Sequence, residues 1–107
     1  MPKYLYAGTY TADGARGVLK DGGSKRREAA ASVIASAGGT LEQMYYGFGS
    51  DDFYIIAEMP NHAAMSAVAL TVAGSGAIGG GHTIVLMDPA ELDEAAKLTT
   101  SYNPPGS

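Results

Sequence analysis

TLEQMYYGFGSDDFYIIAEM, Thr40 to Met59, is the stretch on which the fold turns. Met44 to Phe48 and Phe53 to Met59 are rich in aromatic and β-branched residues, and the polar tetrapeptide Gly49-Ser50-Asp51-Asp52 stands between them. Two such runs about a short polar turn predict a β-hairpin. In the first arm Glu42, Met44, Tyr46 and Phe48 alternate with Leu41, Gln43 and Tyr45; in the second, Phe53, Ile55, Ala57 and Met59 alternate with Tyr54, Ile56 and Glu58. Apolar or aromatic side chains occupy both faces of each arm.

Upstream, Lys3 to Tyr10 (KYLYAGTY) reads as a first strand, with Tyr4, Tyr6, Gly8 and Tyr10 on one face and Leu5, Ala7 and Thr9 on the other. Neither face is plainly a solvent face, which predicts a central position. Thr11 caps a short helical turn with Asp13 near its start and Ala15, Val18 and Leu19 as its inner side. Asp21-Gly22-Gly23 interrupts it. Ser24 is the expected cap of a second helix, whose Ala30, Val33, Ile34 and Ala37 share one face before Gly38-Gly39 ends it. Lys25-Arg26-Arg27 lies at the end of that helix where the macrodipole disfavours cations. The expectation is local neutralisation by Asp21 and Glu28 on a solvated face, the alternative being service to an anion.

Downstream, Pro60 stops the third strand and Asn61 caps a slim, alanine-rich helix with Ala64, Val68, Ala69 and Val72 at helical spacing. Gly74 to Gly81 (GSGAIGGG) reads as a flexible connection, and His82 to Met87 as the fourth strand. Asp88-Pro89-Ala90-Glu91 combines a cap, a proline at the first helical position and Glu three residues on, so a last helix runs to about Thr100. Residues 1–101 form one domain, and the tail, 102–107, is extended or disordered. The order β-α-β-β-α-β plus a C-terminal helix is the ferredoxin-like α+β arrangement, a four-stranded antiparallel sheet with its first and third strands in the middle.

At 107 residues the chain supports one core. A net charge of -4 with seven Lys and Arg argues against nucleic acid, and the lack of cysteine excludes disulfides and thiolate chemistry. No apolar run approaches the ~20 residues of a membrane span, so a cytoplasmic location is expected. Two helices cover only one face of such a sheet. The other would leave an apolar patch above the roughly 400 Å² that a soluble monomer tolerates. A second copy packed face to face about a twofold axis, a dimeric α/β barrel, is the economical cover, as a homodimer or a higher oligomer of dimers.

The run YYGFGSDDFYIIAEMP, with MPKYLYAGTYTADGARGVLKDGGSKR before it and AAMSAVALTVAGSGAI after, resembles the GYD-domain family, small bacterial proteins named for a Gly-Tyr-Asp-type hairpin motif. The resemblance extends through PAELDEAAK to the SYNPPG tail. Gly49 and Asp52 match the family's Gly and Asp; Asp51 stands where the family usually has Tyr, and Gly79-Gly80-Gly81 lies near where many members carry Arg or Lys. The resemblance implies the ferredoxin-like, dimeric α/β-barrel fold and no established activity.

Among the chemically capable residues, Gly74 to Gly79 fits G-x-G-x-x-G, but it follows a helix and precedes a strand, the reverse of the dinucleotide-binding context. Asp51 and Asp52 are turn carboxylates, expected to bond nearby backbone N–H groups. His62 and His82 lack a third nitrogen or sulfur partner, so no metal site and no cofactor are expected. The tyrosines Tyr4, Tyr6, Tyr10, Tyr45, Tyr46 and Tyr54 would frame a small-molecule pocket on the face toward the helices or be dimer core on the opposite face, and Tyr4, Tyr6, Tyr46 and Tyr54, with His82, are the pocket candidates. Two functions remain open. One is a non-catalytic homodimeric module that holds a small apolar or aromatic ligand or acts through assembly. The other is a cofactor-free oxygenase or isomerase with His82, Asp52 and Tyr54 as catalytic candidates.

Overall fold

The computed structural model describes residues 1–107. In chain order the elements are β1 (Lys3–Tyr10), α1 (Ala12–Asp21), α2 (Gly23–Ser36), β2 (Thr40–Tyr46), β3 (Phe53–Glu58), α3 (His62–Gly74), β4 (Ile78–Leu86) and α4 (Pro89–Lys97). The strands form one antiparallel sheet in the order β2-β3-β1-β4, which is the ferredoxin-like arrangement with β1 and β3 in the centre.

Register fixes which side chains meet the helices. Tyr4 stands opposite Ala57 and Val85, and Tyr6 opposite Ile55 and Thr83. These positions therefore share the face covered by α2 and α3, where Tyr4, Tyr6, Phe53, Ala57, Met59, Ile34, Met65 and Val68 form the buried core. Ile34 and Val68 come from the expected helical stripes. Met65 also joins the core.

Several local expectations give way to packing. The shift in pairing between Leu41 and Gln43 is a bulge, and it turns Leu41 to the same side as Met44 and Tyr46, since a one-residue insertion reverses the alternation. β2 ends at Tyr46, and Phe48 lies fully exposed in the turn instead of extending the strand. In α1 it is Gly14 that is buried, while Ala15 and Leu19 are exposed, because the helix lies too close to the Ala77 carbonyl for a side chain at its point of contact. Gly22, at φ +83°, divides α1 from α2 and occupies the cap position expected of Ser24, which lies inside the helix.

The glycine run is not a loose connection. Ile78 pairs with Tyr10, Gly80 with Thr9 and Gly81 with Gly8, so β4 begins four residues before His82. A Cβ at Gly8 would stand 2.5 Å from the Gly80 carbonyl oxygen, and one at Gly81 would stand 3.0 Å from the Tyr6 hydroxyl. Glycine here permits close strand approach at the expense of strand propensity.

The second sheet face carries Leu5, Ala7 and Thr9 in its middle strand, flanked in register by Tyr54 and Ile56 on one side and His82 and Ile84 on the other. No helix packs on it: Ala7 at its centre is buried among the flanking side chains, Leu5, Tyr54 and Ile56 are half-buried, and His82 and Ile84 are exposed. α4 starts with the expected capping box, in which the Asp88 N–H donates to the Glu91 carboxylate at 3.1 Å, but none of its residues is buried and it ends at Lys97. The radius of gyration, 17.0 Å, exceeds the ~13 Å typical of a compact chain of about this length.

Candidate functional site

Between the covered sheet face and helices α2 and α3 lies a cavity of about 210 Å³, sixteen of whose eighteen lining residues are hydrophobic. Its space follows from the sequence: Ala29, Ala30 and Val33 present short side chains on α2, Val68 and Val72 do so on α3, and such helices do not fill the gap above a sheet. The floor is built by Tyr4, Tyr6, Tyr10, Phe53 and Ile55. Phe53 packs at an angle against Tyr6 and Tyr10, with ring centroids 5.7 and 5.2 Å apart.

The polar groups of this wall are few and unevenly placed. At one side the Tyr4 hydroxyl is hydrogen-bonded to His62 Nδ1, and the two rings meet edge to face. At the other are Tyr10 and Arg26, the only cation in the lining. Burial pushes the Tyr10 hydroxyl up to about 12, with a further upward contribution from Tyr46 and a smaller downward one from Arg26. Burial raises Tyr6 as well. Both phenols are therefore neutral donors at physiological pH. Arg26 meets Asp21 only at 4.0 Å, and no ion pair joins Glu28 to the basic cluster, so the expected local neutralisation is thin at Arg26.

The residues nominated from sequence divide between the two faces. Tyr4 and Tyr6 line the cavity, whereas the Tyr46 hydroxyl donates to the Gly23 carbonyl at 3.1 Å beside the N-terminus of α2. Tyr54 and His82 stand in register with Ala7 on the uncovered face, so they do not converge on the cavity. His82 Nε2 lies 3.9 Å from the Asp51 carboxylate. Asp52 accepts the Tyr10 backbone N–H at 2.9 Å, the structural role expected of a turn carboxylate. Gly49 has an ordinary φ and open space about its Cα, so nothing in the local backbone requires a glycine there. No three His, Asp or Glu side chains gather at one point, and no helix is long and apolar enough to cross a membrane.

Arg26 and Tyr10 are the lining residues that sequence reasoning undervalued. Tyr10 belonged to the aromatic face of β1, but its place at the polar side of a cavity depends on α2. For Arg26 the available signal was a basic run at a helix N-terminus with no acidic residue in the first turn to offset it.

The GYD domain model matches residues 4–96, which include β2, β3, β4, all of β1 but Lys3, and every lining residue of the cavity. The chain belongs to the GYD-domain family. No curated protein matches this GYD-domain chain. Among solved structures it is similar to MtbAldR, with a TM-score of 0.55 and 15% identity over 81% of this chain and 52% of that one, so it spans about half of MtbAldR's length. It is also similar to FFRP-DM1 (TM-score 0.55, 12% identity, 81% of this chain and 100% of that one). An uncharacterized NIPSNAP domain protein from Burkholderia xenovorans gives a TM-score of 0.53 and 11% identity, over 84% of this chain and 96% of that one. At these identities the likeness speaks for the fold alone.

Proposed function

We propose that this GYD-domain chain is a small-molecule-binding module that works as a homodimer, with the cavity beneath α2 and α3 as the binding site. The cavity carries the reading. Small-molecule sites are concave, mostly apolar and supplied with a few placed polar groups, and a space lined by aromatic and aliphatic residues with neutral phenols and one guanidinium has that character. The catalytic alternative finds less support. Its candidates are separated, Asp52 being engaged by the Tyr10 N–H while His82 and Tyr54 stand across the sheet from the cavity.

Self-association rests on what the single chain leaves undone. Only 11 of 107 residues are buried, and the uncovered face presents Leu5, Ile56 and Ile84 about its centre. A nine-residue helix such as α4 is marginal in water without packing, yet Leu92 is 59% exposed. A second copy, placed face to face on the sheet, covers the patch and brings α4 to a surface on which it can pack. Native mass spectrometry of the purified protein tests both halves at once. The expected result is a dimer near twice 10.9 kDa, with a bound small molecule or uptake of an added apolar one. A monomer that takes up no apolar compound overturns the proposal.

A further inference from the structure

Resting on the reading of the cavity as a ligand site, we infer that its ligand is an amphipathic anion: an apolar chain or ring bearing one carboxylate, held with that group against Arg26 and the Tyr10 hydroxyl. Three observations converge on this. Arg26 is a lining residue on an otherwise apolar wall, and its nearest carboxylate, Asp21, stands at 4.0 Å, leaving guanidinium N–H groups for another acceptor. The Tyr46 hydroxyl donates to the Gly23 carbonyl at 3.1 Å, and the neighbouring Tyr10 hydroxyl has Tyr46 as its one side-chain partner, a contact that a carboxylate seated at Arg26 would replace. A neutral buried phenol beside a guanidinium offers two donors to one carboxylate.

The surroundings fit the same charge. Arg26 is flanked in sequence by the exposed Lys25 and Arg27, and the first turn of α2 contains no acidic residue, so this end of the helix favours an anion. Two carboxylates lie near. Asp21 is the weak partner of Arg26, and Asp52 is held by the Tyr10 backbone N–H. Size sets the remainder of the molecule. A dry apolar cavity of about 150 Å³ holds benzene, so 210 Å³ accommodates a ligand of roughly eight to ten non-hydrogen atoms. Octanoate is a suitable probe, and 1-octanol its uncharged counterpart.

Titration of the isotopically labelled full chain by two-dimensional NMR, with each probe, tests the assignment. Octanoate is expected to shift Tyr10, Ala30 and Val33 and to bind at least tenfold more tightly than octanol. Arg26→Ala is expected to remove that advantage while octanol still binds, which also shows that the cavity of the variant is intact; Arg26→Lys restores part of it. Equal binding of the two probes, or octanoate binding unchanged in Arg26→Ala, overturns the anion assignment and leaves the cavity reading standing. Failure of both probes to shift the cavity residues overturns the two together.

Discussion

The carboxylate of Asp52 accepts the backbone N–H of Tyr10 at 2.9 Å, across 42 positions of sequence. The pairing of β1 with β3 ends at Gly8 and Phe53, so the Tyr10 N–H on that side of β1 needs an acceptor from outside the ladder. The Asp52 N–H in turn donates to the Gly8 carbonyl at 2.8 Å, and its carbonyl accepts the Gly47 N–H at 3.0 Å. One turn residue thus anchors the hairpin to the end of the central strand and fixes the backbone that carries the Tyr10 ring into the cavity. A charge-assisted hydrogen bond of this kind contributes about 1.5–3 kcal/mol. Asp52→Ala is expected to lower unfolding stability by that amount in urea titrations, with Asp52→Asn losing about half because an acceptor oxygen remains. Equal stability of wild type and Asp52→Ala would remove the anchor from the account.

Two glycines three residues apart in α1 are expected to respond with opposite signs. A Cβ at Gly14 would stand 2.0 Å from the Ala77 carbonyl oxygen, whereas one at Gly17 meets nothing within 4 Å. Neither residue has positive φ. Gly17→Ala therefore gains helix propensity and stabilises by about 0.5–1 kcal/mol. Gly14→Ala forces α1 away from the start of β4 and destabilises by about 1–3 kcal/mol. Thermal unfolding of the two variants, side by side, checks the difference.

These contacts also show how far the sequence was legible. The hairpin, the order of elements and the central place of β1 follow from local alternation and caps, because the covered residues Tyr4, Tyr6, Phe53 and Ala57 keep period two over whole strands. What escaped depends on neighbours distant in sequence. Gly79 to Gly81 reads as a loop because strand propensity contains no information about the Gly8 and Tyr6 atoms that demand a bare backbone. Leu41 changes sides at a bulge that alternation alone does not reveal. By sequence His82 is the catalytic candidate, yet His62 is the histidine bonded to a tyrosine of the cavity wall, through contact of α3 with β1. Tyrosines were recognisable as a set; their division between two faces required the register.

Tyr10 makes the fold sensitive to alkali. Burial, above all, pushes its hydroxyl up to about 12 in the folded chain from the ordinary 10.0. A raised acid pKa means that the native state favours the proton, so the stabilisation is complete below pH 10 and is lost as pH rises through 12. Fully buried, such a group would contribute ~2.7 kcal/mol; solvent access to a half-buried one reduces this to about 1 kcal/mol. Tyr6 shifts in the same direction, and the Lys3 ammonium, raised by its hydrogen bond to Glu42, also contributes stability lost at high pH. Tyr10→Phe isolates the contribution of the Tyr10 hydroxyl. Between pH 9 and 12 its stability is expected to fall by about 1 kcal/mol less than that of wild type, as measured by denaturant titration at each pH.

Ile84 provides the sharpest probe of association, since it lies on the uncovered face, 45% exposed, opposite Leu5 of the central strand. In a twofold pair, two glutamates at this position would lose water without gaining partners, a cost that weakens the dimer at least a hundredfold, or about 3 kcal/mol. The isolated subunit tolerates the same change because its side chain still reaches solvent. Ile84→Glu is thus expected to sediment as a folded monomer of unchanged circular dichroism, while Ser32→Glu, on the exposed side of α2, keeps the dimeric mass. Removal of residues 89–107 sharpens the distinction: α4 has no buried residue in the single chain, so its loss should spare the subunit and weaken the pair. A truncated chain that unfolds would assign α4 to the subunit, and an Ile84→Glu protein that stays dimeric would place the interface away from the sheet.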